Sequence, residues 1–172
     1  MNHQVPLRFT STALRLLIAV NWLLGLGILM LLMMSIVREQ WTFAAIGIPL
    51  PPEPGLLVLG MRAIMVVGLI SIPLHYMVLK GLLAIVDSVS VGDPFLAANA
   101  DRLMAIAWQL LALQILSLIV GAVSASISTA AHPIHLDAGF SPSGWLAVFM
   151  TFVLARVFAL GASMRDDLEG TV

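Results

Sequence analysis

Five polar residues lie inside long apolar stretches of this sequence and could do chemistry within a membrane: Asn21, His75, Gln109, Gln114 and Arg156. Imidazole titrates near neutral pH, and amide and guanidinium groups donate hydrogen bonds, so a cluster of these groups could respond to protons or to a ligand. Ionisable residues inside a membrane are candidates for functional sites. In the alternative, structural interpretation, His75 and the amides hydrogen-bond between helices, while Arg156 reaches a lipid phosphate or the acidic tail.

A second possible site is formed by His132, His135 and Asp137, whose spacing is compatible with metal ligation. A zinc site needs further convergent ligands and supporting hydrogen bonds around them. Because this segment is short and rich in proline and glycine, we interpret it as a solvated loop. We therefore predict no metal site.

The sequence also lacks the usual elements of an enzyme site. It contains no cysteine, which excludes thiolate nucleophiles and cysteine-bound metals. It has no glycine-rich nucleotide-binding loop with a lysine, and its candidate serines and histidines fall on opposite sides of the predicted membrane. We predict no catalytic residue and no cofactor. The net charge of −1 and the absence of a basic run also predict no direct binding to nucleic acid.

The elements that must position these side chains are helices that cross a membrane. Of the 172 residues, 60% are hydrophobic and 10% are charged, whereas soluble domains carry roughly a quarter charged residues. A helix needs about 20 apolar residues to cross a bilayer, and the sequence contains four such runs. We predict a single-domain, all-α integral membrane protein, an up-and-down bundle of four transmembrane helices, with spans at about 12–37, 59–86, 103–128 and 144–163.

The connections between these spans are predicted at 38–58, 87–102 and 129–143, and a tail follows at 164–172. The first connection is rich in proline, which favours extended backbone and predicts a loop. Pro73 lies inside the second span and is predicted to kink it.

The orientation follows from the distribution of basic residues. Six of the eight lysines and arginines fall on the side of both termini, and only Arg38 and Arg62 fall on the other. Basic residues in short loops stay on the cytoplasmic side, so both termini are predicted cytoplasmic. On this topology a polar layer is predicted in the cytoplasmic half. By helical rise, Arg156, His75 and Gln109 lie within about 10 Å of the cytoplasmic edge, and Asn21 and Gln114 lie about 15 Å deep.

The predicted cytoplasmic turn is the most structured segment outside the membrane. Gly92 permits a turn, Asp93 can cap the next helix, and Pro94 suits the first helical position. The simple interpretation is a well-capped connection. The functional interpretation is a docking surface for a cytoplasmic partner, made of residues of the turn and of the tail: Gly92, Asp93, Phe95, Asn99, Arg102, Asp166 and Asp167.

The turn and the tail also resemble those of a bacterial family of small four-span membrane proteins, domain-of-unknown-function family 2975. The shared residues are Gly92, Phe95 and Asn99 in the turn, and Phe158, Gly161, Arg165, Asp166 and Asp167 in the tail. Arg156 departs from the family pattern, which has an acidic residue near that position. The resemblance implies no catalytic activity. Because genes of this family often neighbour a small helix-turn-helix regulator, it implies regulation at the bacterial inner membrane.

We therefore predict an accessory or regulatory protein of the bacterial inner membrane that binds a cytoplasmic protein, such as a helix-turn-helix regulator. The alternative is a transporter, channel or small-molecule sensor that uses the intramembrane polar layer. Four spans are few for a transporter, so this alternative requires a homo-oligomer. Small residues between Gly121 and Ser128 predict close helix contact, within the chain or in a homodimer.

Overall fold

The computed structural model describes residues 4–48, 50, 55–90, 96–128 and 138–169, with side chains for 9–48, 50, 55–89, 96–128 and 138–165. Within these ranges the chain forms helices and no strand. The helices, in chain order, are α1 (Gln4–Val37), α2 (Glu39–Ala45), α3 (Gly55–Ser90), α4 (Ala97–Ile127) and α5 (Pro142–Glu169).

Four of the helices are long and apolar enough to cross a membrane, over Phe9–Val37, Gly55–Val89, Ala97–Ile127 and Pro142–Arg165. Only 11 to 33% of their most apolar windows is buried inside the protein. In water such an apolar surface would be unfavourable, but in a bilayer it faces lipid. The prediction of an all-α membrane protein is confirmed, while the up-and-down order of the spans stays a prediction.

The connection predicted as a loop at 38–58 differs from the structure, because it contains all of α2 and the start of α3. The prolines that favour extended backbone come after α2, which itself contains neither proline nor glycine. Glu39 in its first turn interacts favourably with the helix dipole. Trp41 is exposed, whereas Phe43 is fully buried, so α2 places one face against the protein.

Helix α3 runs through Pro73 without a break in its assigned helical residues. Proline has no N–H to donate to the carbonyl four residues earlier. Transmembrane helices tolerate this because neighbouring groups supply hydrogen bonds. Beside the proline, Nδ2 of Asn21 donates to the carbonyl of Ile72, 3.1 Å away, which ties α1 to α3 at this point.

The described residues divide into two compact units. The first, which we call the turn unit, is drawn from 1–20, 74–112 and 142–172. Its α3 and α4 pack closely where Gly81 faces Ile106: a Cβ on Gly81 would lie 3.0 Å from Cδ1 of Ile106. Trp108 of α4 meets Phe152 of α5 edge to face, with ring centroids 5.3 Å apart.

The second unit, which we call the α2 unit, is drawn from 21–73 and 113–141. Its core contains one residue of α2, three of α3 and one of α4: Phe43, Leu57, Val58, Met61 and Ile127. Glycine is required at position 60, because a Cβ there would clash with Cγ2 of Ile127. Glycine at 121 admits the backbone of Gly139, whose Cα would lie 2.6 Å from an added Cβ.

Candidate functional site

The two sides of the α3–α4 connection are joined by hydrogen bonds between three side chains. Nδ2 of Asn99 donates to Oγ of Ser88 over 2.8 Å, and Nη1 of Arg102 donates to Oδ1 of Asn99 over 2.8 Å. Nη1 of Arg102 also lies 3.3 Å from the carbonyl oxygen of Ala84. We call Ser88, Asn99 and Arg102 the turn network. It ties the last turns of α3 to the first turns of α4.

Burial makes this network energetically important. The side chain of Asn99 is fully buried, and a buried amide without partners costs free energy. Its carbonyl oxygen accepts from a guanidinium, and hydrogen bonds to charged groups are stronger than those between neutral groups. The turn network therefore holds the end of α3 and the start of α4 in one arrangement.

This geometry changes the role of the residues predicted to bind a partner. Asn99 is fully buried and Arg102 is half-buried, so these two residues position the turn. Gly92, Asp93 and Phe95 lie outside the described residues. Asp166 and Asp167 belong to the final turn of α5, and their side chains also lie outside the described part of the structure.

The residues exposed beside the network are different ones. They are Asp87 at the end of α3 and, before and within the first turns of α4, Leu96, Ala97, Ala98 and Asp101. We call this set the turn rim. It combines two carboxylates with a leucine that is 40% exposed, which is a suitable composition for contact with a basic protein surface that also carries apolar groups.

The five predicted intramembrane polar residues divide between the two units: His75, Gln109 and Arg156 belong to the turn unit, and Asn21 and Gln114 belong to the α2 unit. His75 and Arg156 are exposed on the turn unit, and Asn21 bonds to the backbone of the α2 unit. Gln109 and Gln114 each bury an Oε1 atom that has no hydrogen-bond partner. Five residues apart on α4, these two point about 140° from each other. A joint site stays a prediction.

A polar cluster that sequence reasoning missed lies in the α2 unit. Nη2 of Arg62 is 2.8 Å from Oε2 of Glu39, and Nε donates to Oγ of Ser35 over 3.3 Å. The same Nη2 also donates to the carbonyl oxygen of Ser35. We call Ser35, Glu39 and Arg62 the α2 clamp. The prediction of a loop at 38–58 did not indicate this cluster. In the structure α2 begins at Glu39, directly after α1, and its first residue lies beside Arg62.

The metal-like spacing of His132, His135 and Asp137 lies outside the described residues. Within the described ranges no group of three or more histidine or acidic side chains could hold a metal ion.

Comparison with models of protein families gives a match to "Protein of unknown function (DUF2975)" over residues 39–172. The match starts at the first residue of α2 and includes both the α2 clamp's acidic member and the whole turn network. No curated protein and no solved structure matches the chain.

Proposed function

Since the chain belongs to this family of unknown function, we propose its role from the geometry of the α3–α4 turn: it is an accessory or regulatory membrane protein that binds a cytoplasmic protein at the turn rim. The observation that carries the proposal is the turn network, in which a fully buried Asn99 joins α3 to α4. A fixed turn presents the rim in one conformation, and preorganisation lowers the entropy cost of binding.

The charge of the rim indicates the partner. Asp87 and Asp101 are exposed there, and the sequence adds Asp166, Asp167 and Glu169 in the tail. Opposite charges on two proteins steer association and favour the correct partner. We therefore propose a basic partner, and a helix-turn-helix regulator fits because DNA-binding domains carry basic surfaces. The proposal places the turn and both termini on the cytoplasmic side of a bacterial inner membrane.

The first test is site-specific photocrosslinking in cells, with the crosslinker at Leu96 of the turn rim. We expect a basic protein to be captured from this position. The matched position is Trp41, which is exposed on α2 and should capture no such protein. Equal capture from both positions, or none from Leu96, contradicts the proposal.

The second test reverses charge. Asp101→Lys should abolish co-purification of the crosslinked protein, because it places a cation opposite a basic surface. Gln40→Lys introduces the same lysine at an exposed position of α2. It should leave co-purification unchanged. Retention of the partner by Asp101→Lys would exclude the turn rim as the binding surface.

The alternative function is an oligomeric transporter, channel or sensor. It is favoured by one observation, the buried and unpartnered Oε1 atoms of Gln109 and Gln114, since an unsatisfied buried oxygen can accept from water or coordinate a cation. Ion flux into proteoliposomes tests it. Flux that is lost in Gln109→Leu and Gln114→Leu supports this function, and a strictly monomeric protein without flux excludes a pore.

A further inference from the structure

Arg156 is an exposed cation on a helix that crosses the membrane. It lies on α5, nine residues before the end of the apolar span at Arg165 and fourteen after its start at Pro142. Its side chain is exposed and has no hydrogen bond or ion pair with any described residue. An uncompensated charge is unfavourable in or near hydrocarbon. We therefore expect the guanidinium of Arg156 to bind an anion that is not one of the described side chains.

Contacts within the turn unit give the depth of Arg156. Gly81 of α3 faces Ile106 of α4, so Lys80 and Ile106 lie at about the same level. Trp108 of α4 meets Phe152 of α5. Because α4 and α5 run in opposite directions on the predicted topology, two residues before Trp108 correspond to two residues after Phe152, which puts residue 154 at the level of Ile106. Arg156 is therefore within one turn of the level of Lys80, which is also exposed. Lysine and arginine side chains near helix ends reach for the membrane surface, so this level marks the boundary between hydrocarbon and headgroups.

Aromatic residues occupy the same level. Trp108 is 60% exposed and contacts Phe152, which precedes Arg156 by one helical turn. Nζ of Lys80 lies 6.0 Å from the ring centroid of Tyr76. Tryptophan and tyrosine concentrate at membrane interfaces, where one end of the ring is apolar and the other is hydrated.

The apolar span of α5 places no acidic residue beside Arg156. Nine aspartates and glutamates occur in the sequence, and the apolar span of α5 contains none of them. Asp166 follows ten residues later on the same helix, about 15 Å along its axis, which is too far for an ion pair.

We propose that Arg156, Trp108 and Phe152 form a binding site for the phosphate of an anionic phospholipid. The guanidinium donates paired hydrogen bonds to the phosphate oxygens, a geometry that arginine provides and lysine does not. The two rings cover the adjoining part of the lipid, where the acyl chains begin. On the predicted topology this lipid belongs to the cytoplasmic leaflet.

One internal group competes with the lipid. Asp101 is exposed on α4, seven residues before Trp108, and two helical turns bring such residues to the same face. It lies about one turn beyond the level of Arg156, toward the α3–α4 turn. A rotamer change of Arg156 that reaches Asp101 would replace the lipid by an intramolecular ion pair, and the experiment must separate these two cases.

The test is native mass spectrometry of the full chain, released from vesicles that contain phosphatidylglycerol and phosphatidylcholine in equal amounts. Wild type should retain phosphatidylglycerol in preference to phosphatidylcholine. Arg156→Gln should lower this preference about tenfold, because the neutral side chain no longer attracts the net negative charge that distinguishes phosphatidylglycerol from the zwitterionic phosphatidylcholine. Arg15→Gln removes another exposed arginine, on α1, and should leave the preference unchanged.

Three further measurements complete the design. Arg156→Lys keeps the charge and should give an intermediate preference. Asp101→Asn should leave it unchanged, and an increase in this variant would show that Asp101 holds Arg156. Inorganic phosphate added in excess should not displace the lipid, because a free ion lacks the acyl contacts with Trp108. The proposal is overturned if wild type retains both lipids equally, or if Arg156→Gln leaves the preference unchanged. The wild-type result does not depend on how any variant folds.

Discussion

The turn network and the α2 clamp solve the same problem with different chemistry. In the turn network, Arg102 of α4 donates to the carbonyl oxygen of Ala84 on α3 and to the side chain of Asn99 on its own helix. In the α2 clamp, Arg62 of α3 donates to the carbonyl oxygen of Ser35 on α1 and to the carboxylate of Glu39 on α2. In the turn network the side-chain acceptor is Asn99, which is neutral and fully buried. In the α2 clamp it is Glu39, whose side chain is 36% exposed. A buried amide adds directional bonds that salt does not screen, whereas an exposed carboxylate adds an ion pair that salt weakens.

The largest effect is expected at the turn network. Asn99→Ala removes the acceptor of Arg102 and the partner of Ser88, leaving polar groups without bonds in a buried place. We expect the free energy of unfolding to fall by about 2 to 4 kcal/mol. Reversible unfolding in mixed micelles measures it. Asp101→Asn, two residues away and exposed, should change it by less than about 0.5 kcal/mol. A mild effect of Asn99→Ala would show that the network does not hold the turn.

Glycine packing provides the second comparison. Gly60→Ala forces a methyl group against Ile127 in the α2 unit, while Gly81→Ala brings one to 3.0 Å from Ile106 in the turn unit. We expect Gly60→Ala to cost about 1 to 3 kcal/mol and Gly81→Ala to cost less, because a slight shift of Ile106 accommodates it. Because the clash is with Cγ2 of Ile127, Ile127→Ala, which removes that atom, should destabilise Gly60→Ala by less than it destabilises wild type. The reverse ranking of Gly60→Ala and Gly81→Ala would contradict the packing described.

The α2 clamp should be weaker than the turn network. Arg62→Met removes the ion pair with Glu39 and the bonds to Ser35 but keeps an apolar stem in place. Since both charged side chains are partly exposed, we expect a loss of about 1 kcal/mol after screening by solvent. Thermal unfolding followed by the intrinsic fluorescence of the four tryptophans measures it. A loss as large as that of Asn99→Ala would mean that the clamp is as well shielded from solvent as the network.

The smallest effect is a difference in salt dependence. Raising the ionic strength should destabilise wild type through the pair of Arg62 with Glu39 by a few tenths of a kcal/mol. Glu39→Gln should abolish this dependence at the α2 clamp. Ser88→Ala should leave it intact, since no carboxylate takes part in the turn network. Equal salt dependence of Glu39→Gln and wild type would exclude the ion pair as its source.

Sequence patterns were sufficient for the fold class because four long apolar runs permit few structures other than membrane helices. They were insufficient for α2, since the prolines after it dominated the interpretation of the whole connection. They also did not indicate that Asn99 is buried, because a polar residue beside a turn suggests exposure and only the packing of α4 on α3 covers it. Helical rise gave the depth of Gln109 and Gln114 but said nothing of the direction of each side chain around the bundle.

The length of α3 has a consequence for access to the turn rim. The helix continues for ten residues after Lys80, to Ser90, which is about 15 Å of axial rise. The headgroup region of one leaflet is only about 5 to 8 Å thick. If Lys80 marks the edge of the hydrocarbon, the end of α3 and the start of α4 stand above the lipid headgroups in water. Asp101, five residues beyond Ile106, which faces Gly81, lies only about 7.5 Å above that edge. A soluble protein can then dock on the outer part of the rim without displacing lipid.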